Sequence, residues 1–377
     1  MRYFLIAGEA SGDLHGSNLM RELKENDSSA EFCFLGGDMM QSVGGKPVTH
    51  YRDMAFMGFL NVAIHAKTIS RNFTNCKNAI VDFRPDVVIL IDYPSFNLRI
   101  AKYVKKKIGI PVYYYISPKI WAWKTFRIKQ IKKFIDKMFC IFPFEKEFYG
   151  KYSYDVEYVG NPTVETVKDF LCQNRDFEKF ILENNLSDKP IFALLAGSRK
   201  QEIEKCLPKM IESANYFAKY QVVVAGAPGI EPDFYNRILK NNEVKIVYEK
   251  TYELLQNADV AIVNSGTATL ETAIIGTPQV VIYHVNFGWL ASLAKRFFIK
   301  TKHISLVNII AQKEVVKELV AKDFTVKNIV SEMKEITENE NYKAEIINNY
   351  VEIREKLGTS SAANITAKRI YELLDNH

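Results

Sequence analysis

The sequence lacks the patterns that mark disulfide-rich and metal-binding proteins. Its five cysteines contain no Cys-x-x-Cys pair, its histidines show no His-x-x-x-His spacing, and no Asp-x-Asp occurs in the 377 residues. Scattered thiols and histidines of this kind speak against a disulfide framework and against a zinc site. The sequence therefore predicts no metal and no other cofactor, and it favours a reducing compartment such as the cytoplasm.

Long apolar runs are missing as well. No stretch approaches the roughly 18 residues that a membrane-spanning helix needs. The N-terminus passes directly into a strand pattern, without the charged, apolar and small-residue series of a signal peptide. We expect a protein that is neither exported nor membrane-spanning.

The length and the order of apolar runs predict two domains. A chain of 377 residues exceeds the roughly 250 to 300 residues at which a single core stops growing. Short β-rich runs alternate with helical patterns, and the series restarts after Gly160-Asn161-Pro162. This alternation predicts two doubly wound α/β domains of Rossmann type with parallel sheets. We place them at residues 1–165 and 166–345, followed by helices at 346–377 that could cross back to the first domain.

The predicted strands fall into two series. The first consists of Tyr3–Ala7, Phe32–Leu35, Val87–Ile91, Val112–Ile116, Met138–Phe142 and Val156–Val159. The second consists of Ile191–Leu195, Val222–Ala225, Val244–Val247, Val260–Val263 and Gln279–Tyr283. Ligands of open parallel sheets bind beyond the carboxyl ends of the strands, so the residues that follow each strand carry the functional information.

Positive charge is concentrated in one segment. Between Arg99 and Lys151 there are 14 Lys and Arg against 3 Asp and Glu, so the rest of the chain is net negative. Large aromatic side chains are interleaved with these cations, a mixture that suits an anionic lipid surface. A solvated helix face above core aromatics explains the same pattern. Nucleic acid is a weaker alternative because no recognition module is visible.

A glycine turn follows the first strand, and a helical pattern begins at Leu14. The turn contains Gly8, Glu9, Ser11, Gly12 and Asp13. It fits neither the dinucleotide fingerprint nor the P-loop. Ser11 and Asp13 are residue types that cap helices, and the free amides of the helix start predict an anion or sugar site. The two acidic side chains disfavour a polyphosphate and suit sugar hydroxyls. An ordinary strand-to-helix turn is the alternative.

Asp92 directly follows the fully apolar strand Val87–Ile91. A carboxylate at this edge of a sheet can act as a general base if partial burial raises its pKa towards neutrality. Asp, Pro and Asn are also common turn formers, so the same residue could merely cap the next helix.

Two further junctions in the second half have the composition of phosphate-binding turns. They contain Gly197, Ser198 and Arg199, and then Ser265, Gly266, Thr267, Ala268, Thr269 and Glu271. Amides at a helix start together with a guanidinium can hold a diphosphate, and Glu271 could accept hydrogen bonds from ribose hydroxyls. Two such turns in one domain favour a nucleotide-diphosphate site over coincidental helix caps.

The same motifs, taken in order, resemble one enzyme family nearly end to end. The carriers are Gly8–Asp13, the run Ser117-Pro118-Lys119-Ile120-Trp121-Ala122-Trp123, Phe142-Pro143-Phe144-Glu145-Lys146, Gly197–Arg199 and Ser265–Glu271. The Ser-Pro-x-x-Trp-Ala-Trp run is especially specific. On these residues the chain is similar to the lipid-A-disaccharide synthases, which are inverting glycosyltransferases.

The resemblance implies a GT-B fold, with two Rossmann-like domains facing a cleft. It implies UDP-2,3-diacylglucosamine as donor, 2,3-diacylglucosamine 1-phosphate as acceptor, and a β-1,6-linked disaccharide phosphate and UDP as products. By motif, Asp92 corresponds to the family's catalytic carboxylate, Arg199 to its donor-phosphate arginine and Asn308 to an asparagine near the donor. The first glycine turn and Asn161 are then expected on the acceptor side of the cleft.

Three positions depart from the family pattern. Ser95 replaces a frequent second carboxylate near Asp92, which leaves Asp92 as the single acid of that turn. Asn161 replaces a frequent histidine, so it can form hydrogen bonds but cannot titrate in the pH range where histidine does. Val307 replaces a proline before Asn308.

Acylated substrates imply contact with a membrane. The expected surface residues are Trp121, Trp123, Lys124, Arg127, Lys132 and Lys133. A second stretch, Phe287 to Lys302, has a similar mixture of aromatic and basic side chains. We expect a cytoplasmic protein that binds peripherally to the anionic inner membrane and has no nucleic-acid partner. The sequence is compatible with a homodimer. The alternatives are another GT-B transferase of UDP-amino sugars, a UDP-sugar epimerase, and a non-catalytic peripheral membrane protein.

Overall fold

The computed structural model describes residues 1–54, 66–122, 124–172, 175–239, 244–284 and 302–375. Trp123 and nearly all of the stretch Phe287 to Lys302 lie outside these residues. The chain divides into two compact units, one of Met1–Pro162 with Thr359–His377 and one of Thr163–Gly358. Each unit is built around a parallel sheet, as predicted.

The first unit contains a seven-stranded sheet in the order β3-β2-β1-β4-β5-β6-β7. The strands are β1 (Arg2–Ala7), β2 (Glu31–Gly36), β3 (Lys46–His50), β4 (Val87–Ile91), β5 (Val112–Tyr115), β6 (Lys137–Cys140) and β7 (Glu157–Tyr158). The helices are α1 (Ala10–Asn26), α2 (Asp38–Val43), α3 (Ala66–Phe83), α4 (Pro94–Lys107), α5 (Ile128–Phe134), α6 (Phe144–Gly150) and the C-terminal α16 (Ala362–Asp375). Short 3-10 turns span Tyr51–Asp53 and Thr125–Arg127.

The second unit contains a six-stranded sheet in the order β10-β9-β8-β11-β12-β13. The strands are β8 (Ile191–Leu195), β9 (Gln221–Gly226), β10 (Lys245–Tyr248), β11 (Ala258–Asn264), β12 (Gln279–Tyr283) and β13 (Glu318–Val320). The helices are α7 (Pro162–Leu171), α8 (Phe177–Glu183), α9 (Lys200–Ala214), α10 (Pro232–Leu239), α11 (Thr251–Asn257), α12 (Thr267–Ile275), α13 (Leu306–Ala311), α14 (Val326–Glu338) and α15 (Glu340–Leu357), with a 3-10 turn at Ala321–Asp323.

The central strands are buried on both faces because helices cover both sides of each sheet. All five residues of β4 and all five of β8 are buried, which explains their uninterrupted apolar sequences. Alternate residues of β1 belong to different cores, with Phe4 in one and Tyr3 and Leu5 in the other. The period of two along a strand thus distributes one apolar run over two layers.

Two edge strands, β3 and β13, are absent from the sequence-based prediction. β3 has the sequence Lys-Pro-Val-Thr-His and is only partly covered, and β13 has three residues. Short or polar segments of this kind do not show the apolar signal of a central strand. They pair because neighbouring strands present free edge hydrogen bonds.

The strand order reverses once in each sheet. β1 pairs with β2 on one side and β4 on the other. β8 pairs with β9 and β11 in the same way. At such a topological switch point the following loops diverge and leave a crevice at the carboxyl end of the strands. The residues after β1, β4, β8 and β11 therefore surround the two positions where a ligand is expected.

The last helix, α16, belongs to the first unit. Ala367 and Ile370 lie in the same core cluster as β1, and Arg369 forms an ion pair with Glu157 at 3.2 Å. The predicted start of the C-terminal helices at residue 346 lies inside α15, which belongs to the second unit.

The first helix begins earlier than predicted. α1 starts at Ala10, and Glu9 is its N-cap residue in extended conformation without a side-chain cap bond. The assignment of Ser11 and Asp13 as caps is therefore wrong, because both lie inside the first turn. Among the described helices, none is long and apolar enough to cross a membrane.

Candidate functional site

The first switch point brings the glycine turn and Asp92 together. Gly8 follows β1, Asp92 follows the adjacent β4, and the ring of Tyr93 lies against Gly8. A Cβ atom at Gly8 would lie 2.2 Å from Cδ1 of that ring, so only glycine leaves room for it. Burial raises the pKa of the Tyr93 hydroxyl, and the negative charge of Glu9 raises it further. Residues far apart in the sequence thus form one wall.

Asp92 and Tyr93 have left-handed backbone conformations, with φ of 41° and 46°. Such conformations cost about 1–3 kcal/mol each for non-glycine residues and persist only where the surroundings hold them. The Asp92 carbonyl accepts hydrogen bonds from the Tyr114 hydroxyl and, at 2.7 Å, from the Asn97 side chain. The Tyr93 hydroxyl donates to the Met54 carbonyl at 2.8 Å. The surrounding side chains therefore hold the backbone of this turn in place.

The environment of Asp92 suits a proton acceptor. Burial raises the pKa of its carboxyl above the usual value, while the charge of Lys119 and the Tyr93 N–H partly oppose that rise. A carboxylate with a raised pKa takes a hydroxyl proton more effectively near neutral pH than an exposed one does. The side chain is half-buried, so a ligand hydroxyl can still reach it.

The other members of the predicted acceptor turn differ in accessibility. Asp13 is 3% exposed, and its carboxylate accepts hydrogen bonds from the backbone N–H groups of Gly37, Met39 and Met40 at 2.7 to 3.1 Å. These bonds stabilise the start of α2, so Asp13 does not present a carboxylate to a sugar. Ser11 is exposed, and Gly12 is buried against Ala7.

Asn161 lies at the end of β7 in the same sheet. It is 1% exposed, and its Nδ2 donates to the carbonyl of Ile141, which follows β6, at 3.0 Å. The side chain therefore ties two strand ends together. Hydrogen bonding of this type does not require a titratable group, which agrees with asparagine in place of histidine.

A buried carboxylate, Glu145, links the two aromatic motifs. It is fully buried and accepts hydrogen bonds from the Trp121 indole at 3.1 Å and the Phe142 N–H at 3.0 Å. Burial raises the pKa of Glu145 to about 7, and a hydrogen bond from Ser117 is among the contacts that oppose the rise. The sequence analysis did not predict that Glu145 connects the two motifs, although it singled out both motifs.

The prediction that Trp121 belongs to a membrane surface is wrong. It is 7% exposed and packs edge-on against Phe142 and Phe144, so it belongs to the core and not to a lipid contact. Lys132 and Lys133 are exposed on α5, whereas Lys124 and Arg127 are half-buried. Phe126, which the prediction left out, is 68% exposed beside them.

The second switch point holds an open cavity of about 400 Å³ with both polar and apolar lining residues. The predicted donor residues that line it are Gly197, Ser198, Arg199, Ser265, Gly266, Thr267, Ala268 and Glu271. Because α9 begins at Lys200 and α12 at Thr267, the free amides of two helix starts border the cavity. The arrangement favours an anion with several oxygen atoms.

Gly197 has to be glycine for conformational reasons. Its φ is +111°, and a Cβ atom would lie 2.6 Å from Oε2 of Glu202 and 2.7 Å from Nδ2 of Asn264. Arg199 is 67% exposed, and its guanidinium is held by Glu202 at 2.7 Å. The arginine is therefore oriented at the mouth of the cavity while its charge stays accessible.

Glu271 lies on the wall of this cavity, just beyond the first turn of α12. Its Oε1 accepts a hydrogen bond from the Tyr252 hydroxyl at 3.0 Å, and burial raises the pKa of its carboxyl. The acceptor positions of the Glu271 carboxylate that do not bind Tyr252 can accept hydrogen bonds from ligand hydroxyls.

Two predicted donor residues have structural roles instead. Thr269 is fully buried and donates to the Gly266 carbonyl at 2.8 Å, which closes the first turn of α12. Asn308 is also fully buried; its Nδ2 donates to Val316 at 2.8 Å and its Oδ1 accepts from Val315 at 2.8 Å. Neither side chain lines the cavity among the described residues, so both assignments as direct donor contacts are corrected.

Comparison with known proteins identifies the family to which the sequence belongs. The sequence matches the family described as lipid-A-disaccharide synthetase over residues 3–370. The chain belongs to the lipid-A-disaccharide synthase family. The resemblance of the motifs is thereby confirmed, since the match spans both switch points.

Several lipid-A-disaccharide synthases are similar to the chain over almost its whole length. That of Trichlorobacter lovleyi is 34% identical over 380 residues, covering 99% of this chain and 98% of the relative. That of Syntrophus aciditrophicus is 36% identical over 370 residues, covering 96% and 95%. Lipid-A-disaccharide synthase 1 of Legionella pneumophila is 35% identical over 367 residues, covering 96% and 94%.

Solved structures with the same fold include sugar-nucleotide enzymes. The UDP-GlcNAc 2-epimerase of Neisseria meningitidis, bound to UDP-GlcNAc, superimposes with a TM-score of 0.68 at 14% identity over 100% of both chains. The glycotransferase of kitacinnamycin gives a TM-score of 0.63 at 11% identity over 99% of both chains. At these identities the likeness establishes the fold alone, which is of the GT-B type with two parallel sheets.

As a member of the lipid-A-disaccharide synthase family, the chain is a glycosyltransferase of lipid A biosynthesis. Membership implies a UDP-sugar donor and a lipid acceptor. The alternatives of an epimerase and a non-catalytic membrane protein are not favoured. Within the described ranges, no group of three or more His, Cys, Asp and Glu side chains could hold a metal ion.

Proposed function

We propose that the chain transfers 2,3-diacylglucosamine from its UDP derivative to the 6-hydroxyl of 2,3-diacylglucosamine 1-phosphate. The products are the β-1,6-linked disaccharide 1-phosphate and UDP. The observation that carries this proposal is the Asp92 carboxyl, which sits in a strained turn at the first switch point with a pKa raised by burial. An acid of this kind matches an inverting transfer, in which a single base activates the acceptor hydroxyl.

In the proposed step, Asp92 takes the proton of the acceptor's 6-hydroxyl while that oxygen attacks the anomeric carbon of the donor. The new carbon–oxygen bond forms as the bond to UDP breaks, and its electron pair leaves with the diphosphate. Attack from the side opposite the leaving group inverts the configuration. Asp92 is suited to this role because its turn is held by Tyr114 and Asn97 before substrate binds.

The second unit is proposed to bind the donor. Arg199 and the amides at the starts of α9 and α12 would stabilise the charge that develops on the departing diphosphate, since such donors act without reorganisation. Glu271 would accept hydrogen bonds from ribose hydroxyls beside its bond to Tyr252. The UDP-GlcNAc 2-epimerase of similar fold is bound to UDP-GlcNAc, which supports a nucleotide sugar as the ligand class.

We also propose that the chain meets its acylated substrates at an anionic membrane surface. The supporting observations are the 68% exposed Phe126 and the exposed lysines Lys132 and Lys133 on α5. An apolar side chain beside cations matches the boundary between headgroups and acyl chains. Each lysine near such a surface contributes about 1 kcal/mol to the free energy of membrane binding, and salt screens this attraction.

The reaction is tested by measuring UDP release from UDP-2,3-diacylglucosamine with and without 2,3-diacylglucosamine 1-phosphate. We expect release that depends on the acceptor, together with formation of a disaccharide phosphate. Release without the acceptor, or conversion of the donor into an isomeric UDP-sugar, would contradict the transfer.

The membrane contact is tested by flotation with vesicles of neutral or anionic lipid at low and high salt. Lys132→Gln and Lys133→Gln should weaken binding to anionic vesicles, and Phe126→Ser should weaken binding at either salt concentration. Equal flotation of all variants would rule out this surface.

A further inference from the structure

Arg127 carries a charge that the protein does not neutralise. Its guanidinium is half-buried and donates a hydrogen bond from Nη2 to the neutral Ser95 hydroxyl at 2.9 Å. In the part of the chain that the structure describes, no carboxylate lies within ion-pair distance of it. Burial accordingly lowers the pKa of Arg127 from its usual value. A partly exposed guanidinium without a carboxylate partner is available to bind an anion.

Two lysines add to this positive charge. Burial lowers the pKa of Lys124 and the charge of Arg127 lowers it further; Lys124 also has a left-handed φ of 59° at the start of the same 3-10 turn. Lys119, on the preceding loop, is exposed and close enough to Asp92 to favour the ionised carboxylate. The structure therefore places cations next to one another despite their repulsion.

Lys119 acts on the proposed base, and Arg127 contacts the first turn of the helix that follows it. The Tyr114 hydroxyl donates to the Asp92 carbonyl; burial raises the pKa of that hydroxyl, the charge of Asp92 raises it further, and the charge of Arg127 lowers it. Ser95, which accepts from Arg127, stands three residues after Asp92 in the first turn of α4. Arg127 is thus tied, through Ser95, to the helix that begins directly after the Asp92 turn.

The proposed acceptor carries both a reacting hydroxyl and an anion. It carries its reacting hydroxyl on C6 and its phosphate on C1, so one pyranose ring separates the two groups. A phosphate monoester has a charge of about −1.5 to −2 at pH 7. A planar guanidinium binds its oxygens in pairs. Neither an exposed lysine alone nor a neutral sugar would require a partly buried arginine here.

We propose that Arg127, assisted by Lys119, binds the 1-phosphate of the acceptor and selects a phosphorylated glucosamine over its unphosphorylated form. This inference rests on the proposed function. It moves Arg127 from the predicted membrane surface to the acceptor site, and it makes Arg127 a specificity residue of the transfer.

The test compares two acceptors, 2,3-diacylglucosamine 1-phosphate and the same sugar with a free 1-hydroxyl. Wild type should prefer the phosphorylated acceptor. Arg127→Gln should lower kcat/KM for that acceptor about 10- to 100-fold, the effect expected for losing a charge-assisted pair. It should leave kcat/KM for the 1-hydroxyl acceptor within about twofold. Lys119→Gln should act in the same direction but less strongly, and Arg127→Lys should retain part of the preference.

Lys129→Gln is the matched control because Lys129 is an exposed cation on α5, two residues from Arg127. It should keep the wild-type preference. Thermal unfolding of every variant separates loss of fold from loss of recognition. If Arg127→Gln fails to fold, the test uses Arg127→Lys and Lys119→Gln. The measured quantity is again the ratio of kcat/KM for the two acceptors.

Several outcomes would overturn the inference while leaving the transfer intact. One is an unchanged preference in Arg127→Gln, and another is an equal loss for both acceptors. A third is a variant that loses flotation with anionic vesicles yet keeps its preference, which would assign Arg127 to lipid phosphate. A wild type that transfers to neither acceptor would instead remove the proposed function itself.

Discussion

The two switch points have the same topology and opposite surroundings. In each, a glycine follows the first central strand, Gly8 after β1 and Gly197 after β8. Gly8 is covered by the Tyr93 ring beside a carboxyl whose pKa is raised by burial. Gly197 instead lines an open cavity with small and hydroxyl side chains and an exposed arginine.

The difference shows how one fold serves two kinds of chemistry. Partial burial favours proton transfer because it destabilises the charged carboxylate. An open cavity with helix-start amides and a guanidinium can bind an anion because it supplies hydrogen-bond donors without a costly buried charge. The glycines are required for different reasons, space at Gly8 and a positive φ at Gly197.

The largest effect is expected from Asp92→Asn. Loss of a general base should lower kcat about 10³-fold or more, while affinity for UDP stays near that of wild type. Wild-type activity should also fall as the pH drops through the raised pKa of Asp92, because only the ionised carboxylate accepts the proton. Steady-state kinetics across pH measures the loss of kcat and the pH dependence of wild type, and titration calorimetry measures the affinity for UDP. Asp82→Asn, an exposed carboxyl on α3, is the control; normal turnover by Asp92→Asn would refute the assignment.

Arg199→Gln should act on the donor side. We expect a decrease of about 100-fold in kcat/KM together with weaker binding of UDP, because the departing diphosphate loses a charged donor. The control is Lys200→Gln, since the Lys200 ammonium lies 5.6 Å from the centre of the Phe234 ring and not in the cavity. If the two variants lose the same activity, general charge and not the cavity would explain the effect.

Glu145→Gln tests whether the second buried carboxyl of the first unit is structural. The folded pKa of Glu145 is about 7 against 4.5 for an ordinary glutamate, so the folded state binds more protons between these values. Its contribution therefore makes wild type less stable as pH rises from 4.5 to 7, by at most about 3 to 4 kcal/mol.

The neutral variant should lack this dependence. Urea unfolding at pH 5 and pH 8 should show wild type losing stability relative to Glu145→Gln as the pH rises. Parallel unfolding of the two proteins at both pH values would mean that Glu145 stays ionised throughout.

The smallest effect is expected from paired glycine substitutions. Gly8→Ala should lower the free energy of unfolding by about 1–2 kcal/mol, because its Cβ would meet the Tyr93 ring at 2.2 Å. Gly266→Ala should change it by less than about 0.5 kcal/mol. Gly266 has an extended φ of 172°, and its nearest neighbour atom would be 4.0 Å away. Equal destabilisation in denaturant unfolding would remove the contrast between the closed and the open turn.

Much of the fold could be predicted because local sequence encodes it. The strands Val87–Ile91, Ile191–Leu195 and Gln279–Tyr283 have the bounds that their apolar runs predict. A run buried on both faces shows itself without reference to the rest of the chain. The edge strands β3 and β13 could not be found this way, since pairing and not hydrophobicity defines them.

The candidate site was only partly predictable. The position of Asp92 and the loops at Gly197 and Ser265 follow from the rule that ligands bind at the carboxyl ends of parallel strands. The burial of Trp121 and Asn308 does not follow, because a tryptophan in a basic segment has the same local signal on a surface as in a core.

By itself, the sequence determined the two parallel α/β sheets, the family, and the strand ends where chemistry is expected. These depend on apolar periodicity and on motifs that are continuous in the chain. Only the tertiary structure decided that Tyr93 covers Gly8, that Glu145 binds Trp121, and that Arg127 donates to Ser95 while no carboxylate among the described residues pairs with it. The reason is physical: burial, hydrogen-bond partners and uncompensated charge arise between segments far apart in sequence.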